Sequence, residues 1–150
     1  MVNEVEREVQ VLQHYLNEYG QQMEVLSQQL RVIESGRAEA AAAIEALDAV
    51  AASEDGTILM PVGGGASLRV RILEPERVLL SIGASVIVER QNAEAKAFLE
   101  DRMLEMEASA KRLAETLGKI QGQANEVARR LDQIYLAVQQ GQAPPPVTTG

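Results

Sequence analysis

Apolar side chains recur in alternating steps of three and four along two long parts of this chain. In the first part the series runs from Val2 to Ala51, and only Arg37 interrupts it. A three-four repeat sustained over many heptads is typical of a coiled coil. The pattern therefore predicts one helix over residues 1–52, which stops before Gly56, a residue able to adopt the left-handed conformation past a helix end.

The second part, residues 92–140, carries the same repeat from Leu99 to Val138 without a break. Asn92 is suited to cap the start of this helix. The two helices have nearly equal lengths, so they can pair antiparallel as one hairpin. In the register in which paired residue numbers sum to 143, apolar positions face each other throughout, as Leu30 and Leu113 do.

Between the helices, residues 57–90 change to short alternating apolar segments separated by glycines and by one Glu-Pro turn. This predicts four strands in two hairpins. Isolated two-stranded ribbons are marginally stable in water, and a long coiled coil offers little surface to cover them. We therefore predict that other subunits bury their apolar face, which consists of Ile58, Met60, Val62, Leu68, Val70, Ile72, Val78, Leu80, Ile82, Val86 and Val88.

The predicted fold is α+β: a long antiparallel two-helix coiled-coil hairpin with two central β-hairpins that oligomerise. Residues 141–150 include three consecutive prolines, and we expect them to form a disordered tail.

Composition excludes several classes of function. The net charge of −8 argues against nucleic acid as the main partner. The absence of cysteine excludes thiolate catalysis and disulfides. The triple glycine at 63–65 is followed by a strand and lacks the Lys-Ser/Thr of a phosphate-binding loop, so we interpret it as a hairpin turn. His14 is the only histidine, and we interpret it as a solvated helix position. We predict no enzyme, no cofactor and no metal site.

Two further signals concern location. Glu4, Glu6 and Glu8 stand where a signal peptide would need a basic and then an apolar stretch. No apolar run approaches the roughly 20 residues of a membrane span. We therefore expect a cytoplasmic protein without a membrane partner.

Apolar residues also converge at the end of the helix hairpin that lies away from the strands, where Val11, Tyr15, Tyr135 and Leu136 lie off the seam. One interpretation is that helix ends fray and these residues are incidental. The other is an adhesive apolar tip that binds another protein. The candidate contact residues are Val2, Val5, Val9, Val11, Leu12, Tyr15, Ile134, Tyr135, Leu136 and Val138.

The order helix, four strands, helix resembles the α-class subunits of prefoldin over about residues 2–140. The motifs that carry the resemblance are Leu59-Met60-Pro61-Val62-Gly63, Ile82-Gly83-Ala84 and Val88-Glu89. Two departures are mild: Met60 stands where valine is usual, and Ser85 where a second glycine of the turn is common.

The resemblance implies a heterohexamer of two α and four β subunits, whose strands join into an intersubunit β-barrel platform. It implies that the coiled-coil tips hold non-native polypeptide without ATP and pass it to a group II chaperonin. The small size without extensions favours an archaeal source. Two alternatives stay open: an oligomeric coiled-coil scaffold or spacer that binds one folded partner, and an α-only self-assembling filament.

Overall fold

The structure, a computed structural model, describes residues 4–146. The elements in chain order are α1 (Glu4–Ala52), β1 (Thr57–Gly63), β2 (Ala66–Arg71), β3 (Arg77–Gly83), β4 (Val86–Gln91) and α2 (Asn92–Gln139). The predicted order of two long helices around two antiparallel hairpins is confirmed. Within the described residues the hairpins form two separate two-stranded sheets, so no barrel closes inside one chain.

The chain divides into two compact units, which we describe separately. The strand unit consists of residues 33–109 and contains all four strands. The terminal unit consists of residues 4–32 and 110–146, that is, the first part of α1 and the last part of α2 with the segment that follows it.

In the strand unit, the two hairpins share one design. β1 pairs with β2 so that Met60 lies opposite Leu68, and β3 pairs with β4 so that Leu80 lies opposite Val88. Directly opposed residues project on the same face of a sheet, so these pairs join the predicted apolar residues of the two strands, although Val78 of that face lies opposite Arg90. Both hairpins shift register just before the turn, at Gly63 and at Gly83.

The two hairpin turns have similar backbone angles, but their residues tolerate these angles differently. Gly64 and Gly65 have φ angles of 60° and 79°, and Ala84 and Ser85 have φ angles of 50° and 62°. Positive φ at both central residues is the geometry of the tight turns that match strand twist. Glycine adopts it without steric cost, whereas Ala84 and Ser85 bring their Cβ atoms close to the backbone. The second hairpin therefore has the more strained turn.

Gly56 joins α1 to β1 in a close backbone approach. Its φ angle is 76°, and its carbonyl accepts a hydrogen bond of 2.8 Å from the Ile72 N–H. A Cβ atom at Gly56 would lie 2.9 Å from the Ile72 carbonyl oxygen. Both the angle and the lack of space require glycine here, as the sequence indicated for the angle alone.

Asn92 begins α2, but its side chain does more than the predicted cap. The carboxamide Nδ2 donates to the Leu47 carbonyl of α1 at 3.3 Å and to the Pro75 carbonyl at 3.5 Å. Its backbone N–H donates to the Glu76 carbonyl at 2.9 Å. The residue is 9% exposed, so it joins both helices and the link between the hairpins at a buried point.

Antiparallel pairing of α1 and α2 is visible in both units. In the strand unit, Lys96 Nζ lies 2.8 Å from Asp48 Oδ1, and this carboxylate raises the pKa of Lys96. In the terminal unit, Arg130 Nε donates to Glu8 Oε1 at 2.7 Å and Gln13 Nε2 to the Tyr135 hydroxyl at 3.1 Å. The paired residue numbers sum to 144, 138 and 148, so the two helices run antiparallel.

Arg37, which interrupts the seam of α1, is half-buried in the strand unit. Its Nη1 donates to both carboxylate oxygens of Glu34 at 3.2 Å, while its Nε is buried without a hydrogen-bond partner among the described residues. A polar group at a single seam position can specify the register of a coiled coil.

Candidate binding surfaces

Apart from Ile134, the predicted contact residues fall into three groups. Val2 lies outside the described residues. Val5, Val9 and Leu12 are half-buried along the helix seam. The exposed group, which we call the terminal surface, consists of Val11, Tyr15, Tyr135, Leu136 and Val138.

Ile134 does not belong to this surface. It has no exposed area, so it packs inside the helix pair and cannot contact another molecule unless the helices separate. Val138 was predicted on the seam, and that position is wrong, because it is 59% exposed. Ala137 takes the inward place and is 8% exposed. The buried series of α2 therefore ends with a step of three, from Ile134 to Ala137, where the repeat predicted a step of four.

The aromatic residues of the terminal unit are held in place rather than free. The Tyr15 ring stacks on Tyr19 with centroids 6.4 Å apart and an interplanar angle of 25°. Tyr135 accepts a hydrogen bond from Gln13 through its hydroxyl. Rings fixed in this way present apolar area at a low entropic cost. Two of the five residues of the terminal surface, Tyr15 and Tyr135, therefore have such a contact.

Arg130 is a functional candidate that the sequence pattern did not reveal. Its Nε and Nη2 grip both carboxylate oxygens of Glu8, at 2.7 and 3.2 Å. Its Nη1 donates to the main-chain carbonyl of Pro145. The Arg130 side chain is only 15% exposed. On a helical wheel it is one of many charged flank positions, and no sequence signal distinguishes it from Arg129.

In the strand unit, the predicted oligomer face is largely uncovered. Leu80 alone is buried, beside a depression of about 390 Å³ that Phe98 of α2 also lines. The half-buried members are Ile58, Val70, Ile72, Val78 and Val88. The exposed members are Met60, Val62, Leu68, Ile82 and Val86.

Sequence reasoning missed apolar residues on the opposite face of the hairpins. Leu59 in β1, Leu79 in β3 and Ile87 in β4 are all exposed, Leu79 by 73%. Each lies between two residues of the predicted face, so these strand stretches are apolar on both sides. Continuous apolar runs of this kind are typical of strands that are covered on both faces, and this was the available signal.

Among residues 4–146, no group of three or more histidine, cysteine, aspartate or glutamate side chains is arranged to hold a metal ion. His14 contacts Glu18 at 3.2 Å and is well exposed. Neither helix has a stretch in the described part long and apolar enough to cross a membrane.

Known proteins are similar to this chain in sequence and in fold. The family model "Prefoldin: Prefoldin subunit" matches residues 19–137. The chain is 56% identical over 130 residues to "Prefoldin subunit alpha" of Methanoregula boonei, covering 87% of this chain and 85% of that protein. It is 53% identical over 137 residues to the protein of the same name from Methanoculleus marisnigri, covering 91% and 92%.

A solved structure described as filamentous PFD from Methanocaldococcus jannaschii superposes with a TM-score of 0.63 at 19% identity. It covers 77% of this chain and 97% of that one. At this identity the likeness establishes the fold alone.

Proposed function

The chain belongs to the prefoldin family as an α subunit, and we propose that it acts as an ATP-independent holdase that captures non-native polypeptide on its terminal surface. Prefoldin subunits are chaperone components and not enzymes, and α subunits assemble with other prefoldin subunits. The prediction of a chaperone subunit without catalytic activity is therefore confirmed.

The observation that carries the holdase proposal is the exposed apolar group on the terminal unit. Val11, Tyr15 and Tyr135, together with Leu136 and Val138, present apolar area to solvent at the ends of both helices. Apolar residues that cluster on the surface of a folded protein mark a contact site, whereas single exposed ones do not. A non-native chain exposes the same kind of area, so the two surfaces are complementary.

Matched serine variants test this proposal. In the assembled complex, Leu136→Ser should reduce suppression of the aggregation of a guanidine-denatured protein several-fold. Leu104→Ser is the control, because Leu104 is a comparably exposed leucine of α2 in the strand unit. Equal activity of both variants and the unmodified complex would refute the terminal surface as the client site.

We further propose that the hairpins assemble with β-class subunits as two α and four β. The support is physical: exposed apolar residues lie on both faces of the hairpins, and each sheet has only two strands. Each Å² of such surface that association buries contributes about 25 cal/mol of favourable free energy. Native mass spectrometry of this chain with a β-class partner should give a hexamer, and Leu79→Glu should dissociate it.

Delivery to a group II chaperonin and a cytoplasmic location remain predictions. A labelled client bound to the complex should transfer to an added group II chaperonin, and retention of the client would contradict the handover. A scaffold that binds one folded partner would suppress no aggregation.

The alternative of an α-only filament has one observation in its favour, because the superposed structure is a filamentous form. Electron microscopy of the chain without a β-class partner distinguishes the two assemblies. Filaments that persist when the partner is added in excess would contradict the hexamer.

A further inference from the structure

The segment after α2 turns back toward the helices. The Gly141 N–H donates to the Val138 carbonyl at 3.1 Å, and the Gln142 N–H donates to the Ala137 carbonyl at 2.8 Å. With Gly141 at a φ angle of 70°, this is the Schellman cap, in which a left-handed residue ends a helix and reverses the chain. The chain direction after Gln142 is therefore set by hydrogen bonds.

The returning segment meets Arg130. Three prolines at 144–146 follow the cap, and the Pro145 carbonyl accepts a hydrogen bond from Arg130 Nη1. Pro144 is half-buried although its neighbours are exposed. Arg130 Nε and Nη2 donate to the Glu8 carboxylate of α1, and this ion pair orients the guanidinium toward the Pro145 carbonyl. We call residues 141–146 the strap.

The burial pattern of α2 agrees with a covered side. Arg130, Ile134 and Ala137 are spaced four and three apart, so they lie along one side of the helix. All three are largely or fully buried, while Val138, the expected seam residue, is exposed. This is the side of α2 that faces α1, and the strap meets it at Arg130.

Arg130 binds a main-chain carbonyl of the strap and not one of its side chains. Consecutive prolines favour the extended polyproline II conformation, which forms no internal hydrogen bonds and leaves its carbonyls free. Every residue of an extended polypeptide offers such a carbonyl. A positively charged donor fork that is already oriented can therefore bind extended chains of any sequence.

From these contacts we propose that the strap occupies, within the same chain, the place where an extended stretch of client main chain binds, and that Arg130 holds that main chain. The strap is then a built-in competitor that lowers the apparent affinity for clients. This inference rests on the proposed holdase function, since it concerns the same end of the helix pair.

The expected effect follows from competition. Apparent affinity falls by the fraction of molecules in which the site is free. One charge-assisted hydrogen bond, offset by the ordering of a short stiff segment, keeps the strap in place in most but not all molecules. Removing it should therefore lower the apparent Kd for an unfolded client by about three- to ten-fold.

The test uses the complex assembled with a β-class partner and a fluorescently labelled, permanently unfolded protein as the probe. Kd is measured by anisotropy for the full chain and for a chain ending at Gln142, which keeps the cap. The truncation should tighten binding. Within the truncated chain, Arg130→Gln should weaken binding by about ten-fold, and Arg130→Lys should restore part of it, because lysine keeps the charge but not the fork.

Arg129→Gln is the control, because Arg129 is the exposed neighbour of Arg130. It should leave Kd unchanged, and circular dichroism should show equal helicity for all variants. If the truncated complex binds no more tightly than the full one, or if Arg130→Gln and Arg129→Gln behave alike, the strap is refuted. If no variant binds the unfolded probe at all, the holdase proposal itself fails.

Discussion

Substitution of Gly56 by alanine isolates the cost of the close approach between the end of α1 and the end of β2. The new methyl group would lie 2.9 Å from the Ile72 carbonyl oxygen, and that atom belongs to the backbone and cannot swing away. The residue must also keep a φ angle of 76°. Two penalties therefore combine at one site.

The magnitude can be worked out from these penalties. A left-handed alanine costs about 1 to 2 kcal/mol relative to a right-handed one. Relief of the close contact stretches the 2.8 Å hydrogen bond from Ile72 to Gly56, which contributes about 1 kcal/mol. The lower entropy of the unfolded alanine chain offsets about 0.5 kcal/mol. We expect Gly56→Ala to destabilise the fold by about 2 kcal/mol, which lowers Tm by about 4 to 8 °C.

Two other glycines serve as controls. Gly64 has a φ angle of 60° but open space around it, so Gly64→Ala pays only the conformational cost, about 1 kcal/mol. Gly118 lies within α2 with nothing near its Cβ position, so Gly118→Ala should stabilise the fold by about 0.5 to 1 kcal/mol.

Thermal unfolding followed by circular dichroism at 222 nm gives the Tm of each of the three variants, and thus their order of stability. All are compared at one protein concentration, because assembly makes Tm depend on concentration. If Gly56→Ala and Gly64→Ala shift Tm equally, the close approach at Ile72 contributes nothing and the reasoning is refuted.

Two further predictions concern the turn of the second hairpin and the buried amide. Ser85→Gly should raise stability by about 0.5 to 1 kcal/mol, because Ser85 has a φ angle of 62°, and no gain in Tm would show that this turn is not strained. Asn92→Asp should destabilise the fold more than Asn92→Ala at pH 7, because a carboxylate would face the Leu47 and Pro75 carbonyls that now accept from Nδ2. Chemical denaturation measures both variants, and the opposite order would contradict the donor role of Asn92.

The helices and hairpins could be predicted because their signals are local and periodic. The three-four repeat places nearly every seam residue between α1 and α2, and the alternation in residues 57–90 predicted the four strands that the structure has. The matched helix lengths predicted that the two helices pair antiparallel. These features repeat along the chain, so a single polar residue in the series, such as Arg37, does not obscure them.

The missed features depend on contacts between distant residues. Asn92 was expected to cap its own helix, but it donates to carbonyls 45 and 17 positions earlier in the chain. Arg130 looks like any flank arginine until Glu8 and Pro145 are placed beside it. The inward place of Ala137 depends on how α2 ends, which the repeat could not indicate.

The sequence by itself determined the two heptad helices, the two hairpins between them and the need for other subunits, since periodicity fixes which side of each element must be buried. Only the tertiary structure decided which apolar residues stay exposed. It showed Leu79 and Ile87 uncovered on the second face of their hairpin, and Ile134 enclosed where a contact residue was expected. The physical reason is that burial is a property of the packed pair: periodicity names the side, and the neighbour that comes to lie against it decides whether that side meets solvent.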